Sequence, residues 1–150
     1  MRAYPAIGAF VGREHRFPVR VYYEDTDFSG FVYHANYLKF FERGRSDGLH
    51  AAGVSHTDLL AWDPPATMVV RHMSIDFVRP AVVEDDLTVL TRFEGLRGAR
   101  MFARQTIVRG EEILASARLE IAMIGLDGRP RKIPKDFIAL FEPWLDPPAP

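Results

Sequence analysis

The chain has 150 residues, the size of one domain with one core, and its 47% apolar and 26% charged residues are those of an ordinary folded protein. Its 19 basic and 20 acidic side chains leave a formal net charge of -1, which supplies no basic stripe for a nucleic-acid partner. It contains no cysteine, so disulfides, thiolate zinc sites and cysteine nucleophiles are excluded, and a cytoplasmic setting is the expectation.

Residues 1–14 read as a flexible amino-terminal segment. Only Arg2 precedes a weak apolar patch and no small-residue cleavage site follows, so a signal peptide is not expected. Apolar stretches such as Ala6–Val11 and Leu119–Leu126 are too short for a transmembrane helix. Residues 16–24 (RFPVRVYYE) carry enough Val and Tyr for a first strand, and Asp25–Gly30 (DTDFSG) is dense in turn formers that end it. From about Asn36, the positions Tyr37, Phe40, Phe41, Gly44, Gly48, Ala51 and Ala52 recur at three- and four-residue spacing. That spacing predicts the main helix, ending near Gly53. Gly44 and Gly48 each cost helix propensity, roughly 1 kcal/mol against Ala, and imply a close neighbour on that face.

After Pro64-Pro65 the period becomes two. Met73, Ile75 and Phe77 alternate with polar residues, as do Leu87, Val89 and Phe93, and then Ile113, Ala115, Ala117, Leu119, Ile121 and Met123. Such alternation predicts antiparallel strands with one apolar face. Gly95, Gly98, Gly110 and Gly128 fall between the runs and read as turns. Residues 135–145 read as a short helix with Phe137, Leu140, Phe141 and Trp144 on one face, and the proline-rich 146–150 as a tail. The expected organisation is a single α+β domain over 15–145. A sheet of about five strands wrapped around the long helix is the economical layout, and other α+β layouts fit the same pattern.

The stretch VYYEDTDFSGFVYHANYLKFFERGR, Val21 to Arg45, resembles the signature of the hotdog-fold acyl-CoA thioesterases. It is similar in particular to the 4-hydroxybenzoyl-CoA thioesterase type and its bacterial Tol-Pal-associated branch. The resemblance continues less sharply through SIDFVRPA and DGRPRKIP. It implies a five-stranded antiparallel sheet around one central helix, no metal or bound cofactor, and a homodimer or homotetramer with its active sites between subunits. The implied substrate is an acyl-CoA or an acyl-carrier-protein thioester, and the implied location is the cytoplasm, at the inner face of the cell membrane. His34 stands where the benzoyl-type enzymes carry tyrosine, which favours the Tol-Pal branch.

Position by position, the resemblance makes Asp27 the catalytic carboxylate, as nucleophile or general base. It makes the backbone N–H of His34, near a helix start, the oxyanion donor. The His34 side chain has three candidate roles: general acid, substrate partner, or a polar residue at a helix start. Gly30, Tyr33, Asn36 and Tyr23 are candidate positioning residues, with helix capping the alternative for Asn36 and packing for Tyr23. Asp25 reads as a turn residue. Glu42 is a rival carboxylate whose alternative is an ion pair with Arg45. Arg131, Lys132 and Arg100 are candidates for the phosphates of coenzyme A, with solvated surface as their alternative.

Three other functions compete. A non-catalytic acyl-CoA-binding or envelope-complex interaction module would need no positioned carboxylate. A hydratase or dehydratase on the same fold would carry a different helix motif. A metal hydrolase built on Asp25, Asp27 and His34 lacks a completing histidine pair.

Overall fold

The computed structural model describes residues 6–147. Strands β1 (Ala9–Val11) and β2 (Glu14–Arg20) lead into helix α1 (His34–Ala52) and the short α2 (His56–Leu60). Strands β3 (Ala66–Phe77), β4 (Asp86–Arg97), β5 (Arg100–Arg109) and β6 (Glu112–Gly125) follow, then α3 (Lys135–Phe141). All neighbouring strands are antiparallel, in the order β1-β2-β4-β5-β6-β3.

Helix α1 runs across the inner face of this sheet. Its inward stripe is Tyr37, Phe40, Phe41, Gly44, Gly48 and Ala52, all buried, and Gly53 ends it in the left-handed conformation at φ 103°. The two helix glycines are explained by contact. A Cβ on Gly44 would lie 2.7 Å from Val89 Cγ1, and one on Gly48 would lie 3.1 Å from the Phe93 ring. The sheet can therefore approach α1 more closely there than any side chain would allow. Phe93, Phe137 and Phe141 complete the core at the far end of the helix.

The alternation read from the sequence holds along β4 and most of β6, but the register shift beside Ile107 turns Ile113 outward and buries Leu114 instead, and Phe77 of β3 is exposed. Phe17 and Val19 in β2, Leu87, Val89 and Phe93 in β4, and Ala115, Ala117, Leu119 and Met123 in β6 all point inward. Among the described residues the outer face carries no helix and is a mosaic of charge. Glu120 pairs with Arg71 and Arg100, Arg118 with Glu94, and Asp146 with Arg92.

Several expectations are corrected. The sheet has six strands, not five, because residues 9–11 pair with β2 as β1. The described part of the segment 1–14, expected to be flexible, is thus held in the sheet. Its Ile7 and Gly8 N–H groups also donate to the buried Asp47 carboxylate, at 2.9 and 2.8 Å, which lies 2.9 Å from His15 Nε2. Residues 1–5 and 148–150 lie outside the described residues, while Asp146 of the expected tail bonds Arg92 and the Phe93 carbonyl. The first strand starts at Glu14 and stops at Arg20, earlier than the 16–24 expected, because the Asp25 carboxylate takes the Tyr22 N–H and winds Tyr23–Asp25 into a 3-10 turn. Gly95 is not a turn but lies inside β4 where the register with β5 shifts, a bulge. The final helix stops at Phe141 and tightens to 3-10 geometry over Glu142–Trp144.

Candidate active site

The chain doubles back just before α1. Thr26 bridges Val32, the Asp27 N–H donates to the Phe31 carbonyl at 2.9 Å, and the Gly30 N–H donates to the Asp27 carbonyl at 3.0 Å. This tight reversal needs a left-handed residue before the return strand, and Gly30 supplies it at φ 85°. Two further bonds fasten the reversal to the helix. The Asp25 carbonyl accepts from the Tyr33 N–H at 3.0 Å and from Asn36 Nδ2 at 2.8 Å. Asn36 is therefore a buried strut to the loop, and no side chain caps α1, whose N-cap is Tyr33.

The residues 78–85 after β3 brace the other side. The Val32 N–H donates to the Ala81 carbonyl at 2.9 Å, Phe31 bridges Val82, and the Tyr37 hydroxyl accepts from the Ala81 N–H at 3.0 Å. Asp85 accepts from the Val82 N–H and from Arg109, at 2.9 and 2.8 Å, and Arg109 also reaches the Pro80 carbonyl.

Within this frame Asp27 is exposed, and its Oδ1 accepts from the Ser29 N–H at 2.8 Å and the Ser29 hydroxyl at 2.5 Å. Those two bonds, the hydroxyl's first, hold the Asp27 carboxyl below the usual carboxylate range. The nearby His34 lowers it further, and slight burial opposes the shift. Oδ2 has no partner among the described residues, and the side chain is exposed on the loop that leads into α1. His34 is the first residue of α1, and no described residue accepts from its backbone N–H. Its ring packs on Tyr33 at 4.6 Å and edge-on to Phe77 at 6.2 Å. Val32, His34, Tyr37, Phe77, Val78 and Pro80 enclose a cavity of about 250 Å³ open to the surface.

The structure thus gathers Asp27, Gly30, Tyr33, His34, Asn36 and Tyr23 around one loop, with Tyr23 and Phe28 strongly exposed. Ser29 is a further member of the loop, and its signal in the sequence is the Asx-turn pattern of an Asp two residues before a Ser. Tyr37, Ala81, Asp85 and Arg109 were missed for want of a local signal, since their partners lie 24 to 44 residues away. Arg100, Arg131 and Lys132 do not join the loop. Arg100 begins β5, whose other end, Arg109, is at the loop, a strand length of about 30 Å. Arg100 bonds Glu120, while Arg131 lies over the Trp62 ring and bonds the Pro64 carbonyl. Glu42 does not form the expected ion pair with Arg45. It accepts from Ser46 instead, and Arg45 donates to Gln105.

Residues 29–116 match the model of the thioesterase superfamily. The chain is 38% identical over 130 residues to the acyl-CoA thioester hydrolase YbgC of Escherichia coli O157:H7, covering 85% of this chain and 95% of that protein. It is 38% identical over 126 residues to the acyl-CoA thioesterase YbgC of Haemophilus influenzae, covering 83% and 92%. A crystal structure of a probable thioesterase from Bartonella henselae superposes with a TM-score of 0.79 at 50% identity, covering 81% and 99%.

Proposed function

Since the chain belongs to the thioesterase superfamily and is a thioester hydrolase with a hotdog fold, we propose that it hydrolyses fatty acyl-CoA at the loop around Asp27. The observation that carries the assignment is the pairing of an ionised, exposed carboxylate with an unclaimed helix-start N–H on the same loop. Thioester cleavage needs these two groups. The Asp27 carboxylate attacks the carbonyl carbon or deprotonates the water that does. The carbonyl oxygen gains charge as the tetrahedral species forms, and the His34 N–H with the positive end of α1 stabilises it. Collapse expels the coenzyme A thiolate, a fair leaving group. On the water route this leaves the fatty acid, and the proton taken up by Asp27 passes to the thiolate or solvent. On the direct route it leaves an acyl-Asp27 anhydride, which water hydrolyses to the fatty acid and the restored carboxylate.

The enzyme works as a homodimer or a tetramer of dimers in the cytoplasm. Edge strand β3 supports this, because it exposes Val69, Val70 and Phe77 along an unpaired edge. Two β3 edges related by a two-fold axis pair antiparallel. That arrangement sets the end bearing Arg100, Arg131 and Lys132 of one subunit toward the Asp27 end of its partner, where cations suit the phosphates of coenzyme A. An acyl-carrier protein would offer the same thioester without the adenosine phosphates.

Thiol release from a panel of acyl-CoAs tests the assignment. The Asp27→Asn variant should fold normally and lose ~10²-fold or more in turnover, the scale of a positioned acid, base or nucleophile. Near wild-type release would end it and move attention to Glu42.

A further inference from the structure

Helix α1 lies over β2 and β4, so the inner face of edge strand β3 is only partly covered. Met73 and Ile75 are half-buried and Phe77 is exposed. Along α1, His34, Leu38, Glu42, Arg45 and Leu49 follow at three- and four-residue steps and form one stripe. That stripe starts at the proposed oxyanion donor and ends at a second cavity, of about 220 Å³, walled by Leu49, Met68, Val70, Phe93, Met101 and Ile121.

The polar groups at the rim of this cavity are engaged in hydrogen bonds. The Ser46 hydroxyl donates to Glu42 Oε1 at 2.8 Å and lies 3.1 Å from His56 Nε2. With its proton on Glu42, the hydroxyl is the acceptor for the imidazole, and the chain ties α2 to α1. Arg45 donates to Gln105 Oε1 at 2.9 Å, and Gln105 donates in turn to the Phe41 carbonyl and to Thr91. Beyond this polar rim the wall formed by Leu49, Met68, Val70, Phe93, Met101 and Ile121 is hydrocarbon surface, which suits an apolar group.

The dimensions follow from helix geometry. Glu42 is eight residues beyond His34, about 12 Å along the axis, and Leu49 is fifteen beyond, about 22 Å. With C–C bonds of about 1.5 Å, an extended chain advances ~1.3 Å per methylene, so these points correspond to roughly nine and roughly seventeen carbons.

We infer that this cavity receives the far end of a long, unbranched, unsubstituted acyl chain whose thioester lies at Asp27 and His34, and that Ser46 and Met68 set the accepted length. The inference rests on the acyl-CoA assignment above and refines it. Binding of butanoyl-, dodecanoyl- and hexadecanoyl-CoA to the full-length Asp27→Asn protein, measured by calorimetry, separates the two. Hexadecanoyl-CoA should bind at least ~10-fold tighter than butanoyl-CoA, since each methylene in an apolar pocket discriminates strongly. Adding Ser46→Phe, which fills the rim, should shrink that ratio about tenfold and shift preference to shorter chains. Adding Met68→Ala, which enlarges the cavity, should shift it to longer ones. Affinity independent of chain length, or a ratio unmoved by both variants, would overturn the inference, and is the outcome if a second copy of the chain fills the groove. Chain-length-dependent binding without thiol release by the wild type would instead remove the hydrolytic assignment and leave the cavity's role standing.

Discussion

The Asp27 carboxylate and the Ser29 hydroxyl act as one unit. Ser29 donates twice to the same oxygen, which favours the ionised form of Asp27 and leaves the other oxygen without a partner among the described residues. Because the folded Asp27 titrates below its ordinary range, activity that needs the carboxylate is present above that depressed pKa and is lost only as pH falls through it. Ser29→Ala removes the larger of the two stabilising bonds, so the acid limb of kcat/KM should move up in pH toward ~3.9, the unperturbed value. A limb that stays in place would show that the hydroxyl does not govern Asp27. His34 should behave differently, since alanine keeps the backbone N–H. Loss of a whole oxyanion donor costs ~10²–10³ in turnover, so His34→Ala should fall less than about tenfold. A drop as deep as that of Asp27→Asn would make the imidazole catalytic. At this scale the sequence could tell which residues the loop gathers, because Asp27, Gly30, His34 and Asn36 occur within ten positions of one another. It was silent on the struts from Tyr37 and Arg109, whose partners Ala81 and Asp85 meet them only in the folded chain.

Among the elements, α1 was the most legible, since burial against a sheet imposes a 3.6-residue stripe on a nineteen-residue helix. Its glycines also announced a close neighbour, which the structure identifies as Val89 and Phe93. Gly44→Ala tests which force dominates there. Alanine would improve helix propensity by roughly 1 kcal/mol. Its Cβ would meet Val89 Cγ1 at 2.7 Å, and a β-branched side chain in a packed strand has little freedom to turn away. Overpacking of this kind costs about 1–3 kcal/mol, so the variant should be destabilised by about 1 kcal/mol net in urea unfolding. Equal or greater stability would mean that the sheet yields without strain. Strand ends and bulges were less legible. Gly95 looked like a turn because a glycine in a bulge and a glycine in a turn have the same local signature, and only the pairing with Phe102 separates them.

For the whole molecule, strand β1 went unread because three residues carry too little alternation to be seen. It is held by distant groups instead, the Asp47 carboxylate and the stack of Phe10 on Trp144 at 4.3 Å. The opposite edge, β3, is long and apolar, and such an edge in a stable protein is normally covered. Light scattering should therefore give at least about twice the 17.0 kDa of one chain, and an active species of single-chain mass would refute the oligomer. The outer face of the sheet has a different fate, because arginines and glutamates pair across it and the chain as a whole has a formal net charge of only -1. Near the sequence isoelectric point of about 6.5, copies lack the mutual repulsion that keeps proteins dispersed, yet each presents plus opposite minus to its neighbours. Dissolved salt screens such attraction over about 10 Å at 0.1 M. The colloidal consequence is salting-in: the protein is least soluble in dilute buffer near pH 6.5, and modest ionic strength disperses it.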